Sequence, residues 1–187
     1  MSDTNDATNA LRAVAHPLRL QILSLLTGTE LSAADVAREL GVTHANASYH
    51  LRVLLDAGEL EIASEEKIRG GVAKRYRHPF EKGVGNHLPQ KHRPSHEDRA
   101  LYVRAMAEEL VRRARRIRVG RVRSQFSDAE LWVSPDDYRA VEEAITAASL
   151  ELHRAARPPR TEGTIRVSLT AALFEMTSGE TEQEARS

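Results

Sequence analysis

Leu31-Ser-Ala-Ala-Asp35-Val-Ala-Arg-Glu-Leu-Gly41-Val-Thr43-His-Ala-Asn-Ala-Ser-Tyr-His50-Leu-Arg-Val-Leu-Leu-Asp-Ala-Gly58 is the stretch that decides the fold, and it states one helix-entry grammar twice. Leu31 precedes Ser32, whose hydroxyl can accept a free N–H at a helix start, and Asp35 stands where its carboxylate can return the bond. The helix so opened turns Val36, Ala37 and Leu40 inward and stops at Gly41, a residue free to take the left-handed conformation. Val42-Thr43 repeats the apolar residue before a capping hydroxyl. A second helix then runs to about Leu55 or Asp56, with Gly58 as its stop. Two short capped helices joined through Gly41 predict a helix-turn-helix. The small Ala37 lets them approach closely.

Towards the N-terminus, Leu11, Val14 and Ala15 begin a short helix that must end before His16-Pro17, since a residue preceding proline disfavours the helical region. Residues 1–8 are polar and expected to fray. Pro17 suits the first turn of the next helix, with His16 as its cap and Leu18, Ile22, Leu25 and Leu26 as its buried stripe. Towards the C-terminus, Leu60, Ile62 and Ala63 begin a strand. Lys67 to Val72 is read as a turn, and Ala73, Arg75 and Arg77 alternate with Lys74, Tyr76 and His78 on the way back. A helix-turn-helix followed at once by a basic hairpin is the order of a winged helix, here residues 8–80.

Residues 81–95, with two glycines and two prolines, read as a linker. Beyond them a helix is expected from His96 to about Val119, buried along Val103, Met106, Leu110, Ala114 and Ile117. Leu131 to Val133 reads as a short strand. Ser134-Pro135-Asp136-Asp137 opens a further helix, buried along Tyr138, Val141, Ile145, Ala148, Leu152 and Ala155 and halted by Pro158-Pro159. Ile165, Val167 and Leu169 alternate with polar residues in a half-buried strand that reaches about Phe174. Phe126, Trp132, Tyr138 and Phe174 could line a pocket, but in a chain with so few aromatics they are expected to form the module's core. The expected class is therefore mainly α with a small β component: a winged helix-turn-helix domain, then a helix–strand–helix–strand module over 96–176 for dimerisation or effector binding. Residues 177–187 are a polar tail.

Composition narrows the function. The 187 residues are 41% hydrophobic and 29% charged, which suits a packed, soluble chain. Aromatics are 4% and cysteines are absent, so thiolate metal sites, cysteine nucleophiles and disulfides are excluded. No apolar run is long enough to span a membrane, and Met1-Ser-Asp-Thr-Asn-Asp lacks the basic and apolar parts of a secretory signal. The expectation is a cytoplasmic protein. Net charge is zero, 27 basic against 27 acidic residues, but it is unevenly spread. Lys67 to Phe80 holds Lys67, Arg69, Lys74, Arg75 and Arg77 with no acid. Leu110 to Ser127 holds arginines at 112, 113, 115, 116, 118, 121 and 123, again with no acid.

On a helical wheel Ala47, Leu51, Leu54 and Leu55 share one side, which must pack inward. The opposite side carries Ala45, Asn46, Tyr49, Arg52 and Val53, with Ser48 and His50 on its flanks. Amide, hydroxyl and guanidinium side chains read base edges in the major groove. Thr43, His44, Asn46, Ser48 and Tyr49 lie in the first turns, the end of a recognition helix that meets bases. Lys67, Arg69, Lys74 and Arg75 would reach phosphates or the minor groove, adding affinity and register rather than sequence information.

Ala15-His-Pro-Leu-Arg19-Leu-Gln-Ile-Leu, the Leu31–Gly41 segment and Ser48-Tyr-His50-Leu-Arg-Val-Leu-Leu-Asp-Ala-Gly58 together resemble the ArsR/SmtB-type winged-helix repressors. The resemblance covers about residues 8–80. It implies a homodimer on a palindromic operator, with Thr43–Leu55 in the major groove and Ser48, Tyr49 and His50 joining Asn46 as DNA contacts. Arg19 would belong to the scaffold or touch a phosphate. The cysteines and helix-borne histidines of metal-sensing members are missing, so no metal or other cofactor is expected.

Other readings are weaker. His87, His92 and His96 lie in or beside the Pro- and Gly-containing linker, where solvated histidines explain them. The arginine run can complement a helix C-terminus, touch flanking DNA or bind an anion. An enzyme lacks its usual marks here: no phosphate-binding glycine loop, no HExxH and no GxSxG. A winged helix used only to bind another protein should present a more apolar face. The sequence therefore points to a homodimeric DNA-binding regulator, a repressor in preference to an activator, with a small-molecule effector left open.

Overall fold

The computed structural model describes residues 6–68, 71–82, 94–120 and 124–176. Helix α1 spans Asp6–Val14 and α2 spans Pro17–Leu26. Between them His16 is the cap: its Nδ1 accepts the Leu18 N–H at 3.1 Å. Strand β1 is only Leu31–Ser32, followed by α3, Ala33–Leu40, and α4, His44–Asp56. Strands β2, Glu61–Ile68, and β3, Gly71–Arg77, form the hairpin. A single 3-10 turn, Phe80–Lys82, follows, and helices α5, His96–Ala114, and α6, Pro135–Arg154, complete the regular structure among the described residues. The chain is mostly helical with one three-stranded antiparallel sheet in the order β1-β3-β2. Among the described residues no helix is long and apolar enough to cross a membrane.

One core serves the first three-fifths of the chain. Val14, Ile22, Leu26, Val36, Ala47, Leu51 and Leu54 are buried together, with Leu60 beneath the hairpin. Full burial of each large aliphatic side chain stabilises by about 1.5–3 kcal/mol. The caps expected from sequence are formed. Ser32 accepts from the Asp35 N–H while Asp35 accepts from the Ser32 N–H, both at 3.2 Å. Gly41 takes φ 67° and Gly58 φ 74°.

Some boundaries differ. The hairpin strands run further towards the tip than the expected turn from Lys67 to Val72, since Lys67 pairs with Val72 and Ile68 with Gly71. Leu31 and Ser32 act as a strand as well as a helix entry, pairing with Tyr76 and Arg75. The helix begun at His96 ends at Ala114, not near Val119. Arg112 and Arg113 both reach Glu109, but Arg115, Arg116 and Arg118 find no acid one turn back, and like charges at helical spacing repel.

The packed face of α5 is also a correction. Asp98, Ala105 and Glu109 are buried on it, whereas Val103 and Leu110 of the expected stripe are exposed. Asp98 closes a capping box with Ser95 and pairs with Arg12 of α1. Glu109 accepts from Gln21 of α2 at 3.2 Å. Apolar spacing cannot register such a face, because carboxylates paired across it replace the apolar residues.

The C-terminal module departs most. α6 buries none of its residues, and Val141, Ile145 and Leu152 stay exposed. The strands expected at 131–133 and 165–174 enter no sheet among the described residues. Trp132, Phe126 and Phe174, expected in a core, are exposed; no second layer of this chain covers them among those residues. The module nevertheless touches the first domain at its far end. Phe80 stacks on His153 with ring centroids 5.4 Å apart, and Arg160 pairs with Glu39 of α3.

Candidate nucleic-acid interface

The turn between α3 and α4 is closed from both sides. The Gly41 and Val42 N–H groups both donate to the Ala37 carbonyl, the latter at 3.0 Å, and Thr43 Oγ1 accepts from the Asn46 N–H at 3.2 Å. This fixes the direction in which α4 leaves the turn. Ala47, Leu51 and Leu54 hold its inner side in the core, and His44, Ala45, Asn46, Tyr49 and Arg52 lie on the exposed side. Tyr49 is 57% exposed. An aromatic ring so placed on a surface helix has an apolar face and a hydroxyl to offer a ligand.

Two flanking residues separate here. Ser48 is half-buried, and His50 is buried rather than presented. The His50 ring sits 4.7 Å from that of His16 and meets Tyr49 edge-on at 5.1 Å. The expected His50 contact to DNA therefore has no open path in this conformation: one step of 100° beyond Tyr49 carries the side chain under the helix. Burial holds the His50 imidazole below its ordinary value, with His16 and Arg19 adding to the effect. His16 is lowered likewise, by burial first and then by Arg19. The Arg19 guanidinium donates to the Arg12 carbonyl at 3.1 Å, and burial lowers its pKa too. Arg19 thus ties α1 to α2 close to His50 of α4.

The hairpin is tied to the helix-turn-helix because β1, joined directly to α3, pairs with β3. Lys67 and Lys74 are exposed and Arg75 is half-buried; Arg69 lies outside the described residues. The cations are not alone. Glu65 lies opposite Lys74 in register, and their charged groups are 3.9 Å apart. Arg75 faces Glu66 at 4.0 Å and donates to the Glu30 carbonyl at 2.9 Å. Arg77 pairs with Glu61. A run that is acid-free along the chain is thus partly neutralised across the hairpin. Counting back from Gly70 would have placed Glu65 against Lys74.

His96 is exposed on the first turn of α5, while His87 and His92 lie outside the described residues. Among the described residues no three metal-ligating side chains cluster.

A family described as "Helix-turn-helix domain" matches residues 14–61, the span from the end of α1 to the first residue of β2. Residues 14–61 are therefore similar to a helix-turn-helix domain. The chain is 32% identical over 59 residues to the transcriptional repressor SdpR of Bacillus subtilis (strain 168). That alignment takes in 32% of this chain and 62% of SdpR, so the chain spans about three-fifths of the curated relative it matches. A crystal structure of a possible transcriptional regulatory protein, fragment 1–100, from Mycobacterium bovis is 22% identical. It covers 56% of this chain and 94% of its own length, with a TM-score of 0.35. The matched family span takes in α2, β1, α3 and α4. The module after α5 lies beyond the matched family span.

Proposed function

We propose that the protein is a sequence-specific double-stranded-DNA-binding transcriptional regulator that represses as a homodimer. The single observation carrying this reading is the exposed Asn46–Tyr49–Arg52 face on a helix whose inner side and entry angle are fixed. An amide, a phenol and a guanidinium on one helix face match the donor and acceptor pattern of major-groove base edges. Lys67, Lys74 and Arg75 would lie on the backbone or in the minor groove beside it, giving register. The family match and the likeness to a repressor support the same reading. Residues 96–176 supply the dimer contact in this scheme, as a two-fold operator requires.

The test is selection of bound sequences from a random double-stranded DNA pool at two salt concentrations. Enrichment of a palindrome with half-sites about one helical turn apart is the expected result. Salt-sensitive binding without enrichment would leave a non-specific DNA binder. No binding at either salt would overturn the reading in favour of a protein-interaction module.

A further inference from the structure

We infer that residues 164–176 form an arm that pairs antiparallel, about Leu169, with the same arm of a second copy of this chain. The inference deepens the homodimeric reading above and rests on it. The arm alternates Ile165, Val167, Leu169, Ala171 and Leu173 with Arg166, Ser168, Thr170 and Ala172, the period of a strand with one apolar face. Leu169 and Ala171 line an open groove of about 540 Å³ together with Ile145, Ala148 and Leu152 of α6 and its C-cap Ala155. The odd-numbered face is therefore the one turned to the helix, yet the arm enters no sheet among the described residues. Apolar alternation without a ladder leaves a row of backbone donors and acceptors ready to template another strand.

The exposed apolar side chains of this module together amount to the area of an interface. Trp132 is 93% exposed, Phe126 and Ile165 79%, and Phe174 57%. Aromatic side chains bury about 150–250 Å² each, so Trp132, Phe126 and Phe174 alone offer roughly 400–500 Å². Leu131, Val133, Val141, Ile165, Val167 and Leu173, also exposed, bring the total above the ~800 Å² that one partner gives to a standard interface. The residues outside the described set have little apolar surface with which to cover it. They carry only Met1, Val84, Leu88 and Val122 as large apolar side chains, and 177–187 carry none.

A second copy fits because the arm is complementary to itself. Antiparallel pairing about a two-fold axis sets residues of equal parity opposite each other. With Leu169 on the axis, Val167 faces Ala171 and Ile165 faces Leu173, while Arg166 faces Ala172 and Ser168 faces Thr170. Every residue on the α6 side then meets an apolar partner, and no like charges are opposed. A shift that centres the pair on Thr170 would set Ile165 against Glu175. The product is a two-stranded intermolecular sheet with one α6 from each copy on the same face.

The native chain has no cysteine, so a single introduced thiol reports cleanly. Leu169→Cys in the full-length protein should form a disulfide-linked dimer on mild oxidation, because directly opposed antiparallel residues have Cα atoms about 4.5–5.5 Å apart, within disulfide range. Glu143→Cys, on the exposed side of α6, measures collisional cross-linking. Sedimentation should show a dimer for the native chain, and a shift towards monomer for Val167→Asp with helical circular dichroism retained. A dimer in which Leu169→Cys cross-links no faster than Glu143→Cys overturns the arm pairing and leaves the dimeric reading standing. A monomeric native protein at micromolar concentration overturns both, while DNA binding by the helix-turn-helix domain stays open to its own test.

Discussion

Ser32 and Arg75 are register partners across β1 and β3, so the residue that caps α3 is also the one that ties the wing to the helix-turn-helix. Ser32 accepts the Asp35 N–H and its hydroxyl meets Asp35 Oδ2 at 2.7 Å. Arg75 meanwhile donates to the Glu30 carbonyl two residues upstream. Helix entry and wing placement therefore share one short segment.

Ser32→Ala should destabilise the protein by about 1 kcal/mol, the usual cost of an N-cap hydroxyl. Urea denaturation of the two proteins measures it. Ser32→Asp, which keeps an acceptor at the cap, should restore part of the loss unless repulsion from Asp35 dominates.

Stability should fall as the solution is acidified below neutrality. His16, His50 and His78 all have folded-state values lowered, with burial the largest cause in each. Between those folded values and the unfolded value near 6.5 the unfolded chain binds more protons. Their contribution is complete above about pH 6.5 and is lost as pH drops through that window. Thermal unfolding at pH 7.5 and 5.5 should show the lower midpoint at 5.5. His16→Asn, which keeps an acceptor for the Leu18 N–H, should flatten the difference; an unchanged pH response in that variant would remove His16 from the explanation.

Wing charge should act in both directions. Lys74→Ala with Arg75→Ala should weaken binding to all DNA sequences and reduce the salt slope, by close to one unit for each phosphate no longer neutralised. Glu65→Gln with Glu66→Gln, which frees those cations from their cross-strand partners, should strengthen binding and steepen the slope. Titrations over a salt series read both, and an acid-to-amide variant that binds no tighter would mean the wing does not meet phosphate.

Base recognition should reside in α4. Asn46→Ala or Tyr49→Ala should relax the preferred sequence, with about 1–3 kcal/mol of discrimination removed at the base pairs they touch and little change on random DNA. Competition binding against operator variants separates this from a general loss of affinity. His50→Ala should instead lower stability, since His50 is buried beside His16.

Gly28→Ala should disturb the junction between the two halves of the chain. A Cβ there would meet Ala156 Cβ at 3.0 Å and the Arg157 carbonyl at 3.1 Å. Overpacking of this kind costs about 1–3 kcal/mol, or the segment after α6 moves away. Denaturation reads the first outcome, and increased proteolysis of residues 155–160 reads the second.

The N-terminal domain is legible in the sequence because each of its helices announces itself locally. Ser32 with Asp35, Thr43 ahead of Asn46, and Gly41 and Gly58 at φ > 0 all act within four residues of their own positions. The exposed set Asn46, Tyr49 and Arg52 follows from helical periodicity alone. What the sequence hides is non-local. The pairing of Glu65 with Lys74 exists only once the hairpin is closed, and the burial of Asp98 and Glu109 depends on Arg12 and Gln21, more than eighty residues away. The apolar stripes of α6 and 165–173 are plain in the sequence, but they imply a covering layer that the described part of one copy does not contain.

Asp98 and Glu109 stand three turns apart on α5, roughly 16 Å along its axis, one held by α1 and the other by α2. A helix seated by grease can slip by a turn and find equivalent packing. A helix pinned at two distant points by polar partners cannot, because any slip breaks the Arg12–Asp98 and Gln21–Glu109 contacts at once. α5 is therefore indexed like a key on two wards: its outward residues can drift in identity while its position against the helix-turn-helix domain stays the same.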